Sequence, residues 1–247
     1  MIELSGISKT YAKSAVKAVD GLSVTVDDGE IFGFLGPNGA GKTTTIKVIT
    51  GVLRPDQGKA RIDGVDIASD PLDAKRRFGY VTDNPELFAR LKAAEYLNFV
   101  ADVYGVTTAI RQERINRYAT LFGIKDVLNG SIGSFSHGMK QKLLITASLV
   151  HDPDNWILDE PMVGLDPKSA FSLKAIMRER AAAGKTVFFS THVMEVAEKL
   201  CDRLAIINRG KIVFIGTLAE LKSVRGTDGS LESLFLELVG EDEEVPA

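Results

Sequence analysis

The sequence predicts an α/β fold interrupted by a helical insertion, and three observations carry that expectation. An apolar run at 31–35 leads through a glycine-rich turn into a helical pattern at 44–51, a strand–turn–helix unit. Further short apolar runs at 58–63, 78–82, 156–158 and 186–190 end in turn or charged residues and alternate with helix-like stretches, as the strands of an α/β core do. Between them the texture changes: 91–103, 110–122 and 136–150 carry apolar residues at helical spacing without strand-like alternation. The expected organisation is one domain. Its core spans 1–84 and 151–217, its helical part 85–150, and short C-terminal helices with an acidic tail fill 218–247.

Taken in order, residues 2–8 and 22–26 alternate apolar and polar, as strands with one wet face do. Tyr11 lies in a turn-like stretch between them, either as a rim aromatic or as a ring that stacks on a nucleobase. The stretch Gly36-Pro37-Asn38-Gly39-Ala40-Gly41-Lys42-Thr43-Thr44 fills every fixed position of G-x-x-x-x-G-K-S/T, with a strand before it and a helix after it. Glycines there let backbone N–H groups turn inward, and the helix start adds positive partial charge. Lys42 then reaches the β- and γ-phosphates, and the Thr43 hydroxyl is placed to ligate Mg²⁺. This loop implies a bound nucleoside triphosphate.

Residues 64–66 read as a turn, and the strand at 78–82 ends at Asp83-Asn84-Pro85. Ser136 caps the third helical pattern, whose Met139, Leu143, Ala147 and Val150 fall on one side. Its exposed N–H groups also suit a phosphate, and one chain holds only one γ-phosphate in its own loop. A second phosphate-seeking helix therefore suggests a nucleotide shared across a dimer. Asp159 closes a strand and Glu160 follows it. The pair either tops the turn at Pro161 or holds the Mg²⁺ shell (Asp159) and orients or deprotonates the attacking water (Glu160). Asp166-Pro167 starts a helix that Gly184 ends, and the strand at 186–190 delivers Thr191-His192. His192 thus joins Gly36 and Asp159 on the edge where open α/β sheets bind ligands. Residues 203–207 and 211–215 form a hairpin around Asn208-Arg209-Gly210, 218–224 and 231–239 are short helices, and Glu241-Asp242-Glu243-Glu244 is a solvated end.

The totals exclude several classes. Among 247 residues, 45% are hydrophobic, enough for a sizeable core, and the net charge of −3 comes without a basic stripe. No nucleic-acid partner is expected. One cysteine rules out an intrachain disulfide, and the three histidines show no metal-ligand spacing with it. The N-terminus lacks signal-peptide character and no apolar run spans a bilayer, so a cytoplasmic chain is expected.

With all these motifs in hand, the chain from Ile2 to about Val239 resembles an ABC-type ATPase, the nucleotide-binding subunit of an ABC transporter. Tyr11 stands at the adenine-stacking position and 36–44 at Walker A. Phe135-Ser136-His137-Gly138-Met139 stands at the LSGGQ signature. Residues 157–160 match Walker B with its catalytic glutamate, Gly164-Leu165-Asp166-Pro167 the D-loop, and His192 the switch histidine. The resemblance implies a P-loop NTPase core, a mixed sheet flanked by helices, with an N-terminal antiparallel β subdomain and an inserted helical subdomain. It also implies ATP and Mg²⁺ as ligands and a second ATPase subunit, identical or related. Ser136 and Gly138 would then act on the partner's nucleotide, and integral membrane permease subunits would dock in the cleft around 83–91, placing the chain on the cytoplasmic side of the membrane. Two departures stand out. Asp83 occupies the place of the Q-loop glutamine, where a carboxylate can still ligate Mg²⁺ or its water, and the signature carries His137 for glycine and Met139 for glutamine. These variants, with the 215–218 and 230–235 stretches, resemble exporter-type members of the drug, bacteriocin, lantibiotic or polysaccharide class. The rival reading is a soluble ABC-family switch associated with nucleic acid or ribosomes.

Overall fold

In the computed structural model, which describes residues 1–12, 14–84, 88–225 and 229–240, short alternating strands build two sheets. The N-terminal half contributes β1 (Ile2–Thr10), β2 (Lys17–Val26), β3 (Ile31–Leu35), α1 (Lys42–Ile49), β4 (Gln57–Ile62), β5 (Val65–Asp66), α2 (Pro71–Arg76) and β6 (Phe78–Val81). Three helices follow, α3 (Ala93–Val103), α4 (Thr108–Leu121) and α5 (His137–Leu149). The chain then returns through β7 (Asn155–Leu158), α6 (Pro167–Ala182), β8 (Thr186–Thr191), α7 (Met194–Leu200), β9 (Arg203–Asn208) and β10 (Lys211–Gly216), and ends in α8 (Leu218–Arg225) and α9 (Leu231–Gly240).

The first sheet, in order β2-β1-β4-β5, is antiparallel throughout. The second, β10-β9-β3-β8-β7-β6, is parallel except for the hairpin strand β10 at its edge. Every residue of β3, β7 and β8 is buried, which is why these strands read as continuous apolar runs: both faces are covered. On one face, Phe32, Phe34, Ile157 and Phe188 meet Ile2, Leu4, Val24 and Ile62 of the first sheet. On the other, Trp156, Leu158, Val187 and Phe189 meet Tyr118 and Phe122 near the end of α4 and Leu173 and Met177 of α6. The two faces alternate residue by residue, the period of a strand.

The inserted helices have a core of their own. Leu97 and Ala101 of α3, Ala119 of α4 and Leu143 and Ala147 of α5 pack together with Val150, and Met139 lies against them. Helix α2 has no counterpart in the periodicity of the sequence, because only Ala74 of its six residues is buried. Its start is marked by Asp70, which accepts from Asp73 N, and by Pro71. The acidic stretch Glu241-Asp242-Glu243-Glu244 and Pro85 lie outside the described residues. Among the described residues, no helix is long and apolar enough to cross a membrane.

Candidate functional site

Because β3, β8 and β7 are neighbours, their C-terminal ends open side by side. The glycine-rich loop leaves β3, Asp159 and Glu160 leave β7, and His192 leaves β8. Asp83 follows β6, whose Val81 pairs with Leu158, so it reaches the same edge.

Two loop glycines are forced by close approach. A Cβ on Gly36 would stand 2.5 Å from Ile207 O, and one on Gly41, at φ +112°, would stand 2.5 Å from Ala18 O. Helix α1 starts immediately after Gly41, with no acidic residue in its first turn to compete for an anion. The loop bounds a cavity of about 330 Å³ lined by residues 37–39 and 41–44 together with Tyr11, Asp83 and Glu160. Lys42 is buried, and its Nζ donates to Gly36 O (2.7 Å) and Pro37 O (3.3 Å). Tyr11 stands at the rim, half exposed, its hydroxyl 3.2 Å from Thr44 Oγ1.

Opposite the loop, Glu160 sits at φ +47°, a left-handed backbone that bulky residues adopt rarely. Its Oε1 is 3.4 Å from Lys42 Nζ and its Oε2 is 3.0 Å from His192 Nδ1. Ser190, which pattern reading passes over as one more strand residue, organises both carboxylates. Its hydroxyl donates to Asp159 Oδ1 (2.5 Å) and accepts from Glu160 N (3.0 Å). Ser136 and Gly138 do not line this cavity. Ser136 caps α5, its Oγ accepting from Met139 N at 3.3 Å, and Gly138 packs so closely on Gly164 that a Cβ would stand 2.4 Å from Gly164 O.

The residues present fit Mg²⁺. Asp159 is fully buried, and its Oδ2 has no hydrogen-bond partner, an orphaned acceptor of the kind a hard cation satisfies. The Thr43 hydroxyl and the Asp83 carboxylate are both close enough to act on the same carboxylate, the first favouring its charge and the second opposing it. Among the described residues, no cluster of three or more His, Cys, Asp or Glu side chains could hold a metal alone.

Burial raises the Asp159 pKa above its ordinary value. The hydrogen bond from Ser190 and the nearby Thr43 hydroxyl oppose the shift, while the charges of Asp83 and Glu160 add to it. A carboxyl whose folded pKa is raised contributes its full stability below the unfolded pKa and loses it as pH rises through the folded one. Asp159→Asn is therefore expected to raise the Tm of the nucleotide-free chain at neutral pH, by about 2–4 °C for each kcal/mol relieved. It should also remove the Mg²⁺-dependent part of the Tm gain on adding ATP. Thermal melts at pH 5 and pH 7.5, with Mg²⁺ or EDTA, read both effects, and a lower Tm at pH 7.5 would contradict the assignment.

Comparison with known proteins places this geometry. The family model described as ABC transporter matches residues 19–163. The ABC transporter ATP-binding protein NatA of Bacillus subtilis (strain 168) is 37% identical over 232 residues, covering 92% of this chain and 94% of that relative. The daunorubicin/doxorubicin resistance ATP-binding protein DrrA of Streptomyces peucetius is 39% identical over 227 residues, covering 92% of this chain and 68% of its own length. A solved structure of an ATP-binding subunit of an ABC transporter superposes with a TM-score of 0.92 at 33% identity, covering 96% of this chain and 99% of that one.

Proposed function

The chain belongs to the ABC transporter family as one of its ATP-binding subunits, and from that premise we propose that it is the ATP-hydrolysing motor of an exporter. The observation that carries the chemistry is the Glu160 carboxylate held between Lys42 Nζ (3.4 Å) and His192 Nδ1 (3.0 Å) at the mouth of the phosphate loop. The loop amides and Lys42 bind the β- and γ-phosphates, and the Tyr11 ring stacks on adenine. Thr43, Asp159 and Asp83 hold Mg²⁺, which when bound neutralises phosphate charge. Glu160 takes a proton from the water that attacks the γ-phosphorus. A water O–P bond forms as the β–γ bridging P–O bond breaks, and ADP leaves with the bridging oxygen. His192, whose Nδ1 lies 3.0 Å from Glu160 Oε2, donates a ring N–H to the γ-phosphate oxygens and so stabilises their developing charge.

Ser136 and Gly138 lie outside this chain's own cavity, at the start of α5. We assign them to the nucleotide of a second cassette, identical or related, closing head to tail. Membrane subunits are the remaining partners. Phe88 and Phe99 are exposed by 62% and 52%, with ring centroids 6.5 Å apart, an apolar surface suited to a helix from such a subunit. Export rather than import follows the resistance proteins among the relatives. The test is a gentle detergent pull-down of the tagged chain from its native membranes. Stoichiometric recovery of a multi-spanning membrane protein is expected. Recovery of ribosomes or nucleic acid with no membrane protein would sink the reading.

A further inference from the structure

We propose that Lys142 is a positioning residue for Glu160, acting by clamping the turn that follows Glu160 onto the start of α5. The inference rests on the reading of Glu160 as the general base. Only residues 161–165 separate Glu160 from Asp166, the N-cap of α6. The left-handed backbone at Glu160 makes the chain turn there, so the direction of its carboxylate depends on what holds the segment on either side. Behind it, Ser190 fixes the Glu160 amide.

Ahead of it, the contacts come from the beginning of α5. Gly138 meets Gly164 backbone to backbone, leaving no room for a Cβ. Gln141 Nε2 donates to Pro161 O at 3.4 Å, a long bond, and Gln141 Oε1 is buried without a partner. Lys142 Nζ lies 2.6 Å from Asp166 Oδ2, with the lysine side chain only 16% exposed. Asp166 is itself fixed by Ser169, whose N–H and hydroxyl both donate to it, at 2.9 and 2.8 Å. Positions 138, 141 and 142 stand at i, i+3 and i+4 and so share one helix face. Of the three contacts, Lys142 supplies the short charged one, and it ties α5 to the cap of α6.

An ion pair with one partner half open to water adds little to stability, but it fixes a direction. The start of α5 and the 161–166 turn therefore move as one body. A displacement of the Ser136 cap is handed to Glu160 of the same chain without passing through the nucleotide.

The experiment compares Lys142→Met, which keeps the apolar stem and drops the charge, with Lys142→Arg and Lys142→Gln in the full chain. Lys142→Met and Lys142→Gln are expected to lower kcat about tenfold or more, since small misplacements of a catalytic group are costly. KM and the equilibrium affinity for ATP should stay within about threefold of wild type, the split that separates a transition-state effect from lost binding. Lys142→Arg should recover most of kcat. Backbone hydrogen exchange, measured without nucleotide, should speed up at 161–166 in the Met and Gln variants and not in Arg. A wild-type kcat in Lys142→Met, or unchanged exchange at 161–166, overturns the proposal. If the wild-type chain itself releases no phosphate from ATP, it is the hydrolysis reading that fails, and the exchange measurement still decides the clamp.

Discussion

Glu160→Gln is expected to retain ATP binding and to lose turnover by ~10²-fold or more, the size of a general-base contribution. The substitution keeps the volume and the left-handed backbone at this position, and the amide can still bond His192 Nδ1, now 3.0 Å from Oε2. What disappears is the basic lone pair that accepts the proton of the attacking water. One negative charge facing the phosphates also disappears, along with the ion pair to Lys42 Nζ at 3.4 Å. The affinity for ATP should therefore hold or rise. Phosphate release and equilibrium binding of a fluorescent ATP analogue, read on the same preparation, separate the two effects. Wild-type turnover in Glu160→Gln would falsify the role given to this carboxylate.

Why these groups converge could be read only partly from the sequence. The loop at 36–44 announces itself because a phosphate cradle needs glycines at fixed positions, and at two of them a backbone carbonyl of another element leaves no room for a Cβ. Asp159 and His192 were legible as polar ends of apolar runs. Their nearness was not, since it depends on β7 and β8 being hydrogen-bonded neighbours, with Leu158 opposite Phe189. That same register sets Asp159 beside Ser190, so the role of Ser190 lives in the pairing of strands and leaves no mark in local pattern. Helix α5 shows the opposite case: the stripe Met139, Leu143, Ala147 and Val150 is the face that packs in the helical core. Helix α2 leaves no periodic signal, although Asp70-Pro71 repeats the Asp166-Pro167 start signal. With one buried residue it has no stripe to support the cap.

The departures from the family pattern also gain physical content. Asp83 lines the cavity of the glycine-rich loop and acts on Asp159, so a carboxylate at that place enters the electrostatic cluster proposed to hold Mg²⁺. His137 packs over Gly164, where an added Cβ would stand 2.6 Å from the ring. Gly164 has φ +78°, so this turn requires glycine for both its conformation and its neighbour.

Lys42→Ala should act on binding, where Glu160→Gln acts on turnover. Lys42 is buried and, among the described residues, is the one cation that lines the cavity, so its removal takes away the charge proposed to meet the β- and γ-phosphates. Removing a preorganised donor of this kind costs about 10²–10³ in kcat, and here ATP affinity should fall with it. Stability should change less. Lys42 Nζ donates to Gly36 O and Pro37 O, and leaving such acceptors unpaired costs about 1–3 kcal/mol, less where water can replace the donor at the cavity wall. The melt should thus stay cooperative, with Tm lowered by several degrees, about 2–4 °C per kcal/mol. Isothermal titration with ATP, a melt of the free chain and a phosphate-release assay read the three quantities. Lys42→Ala that folds and still binds ATP with wild-type affinity would remove the loop from the centre of this account. Weak binding in Lys42→Ala beside intact binding in Glu160→Gln would instead assign capture of the phosphates to β3 and α1, and cleavage to the end of β7.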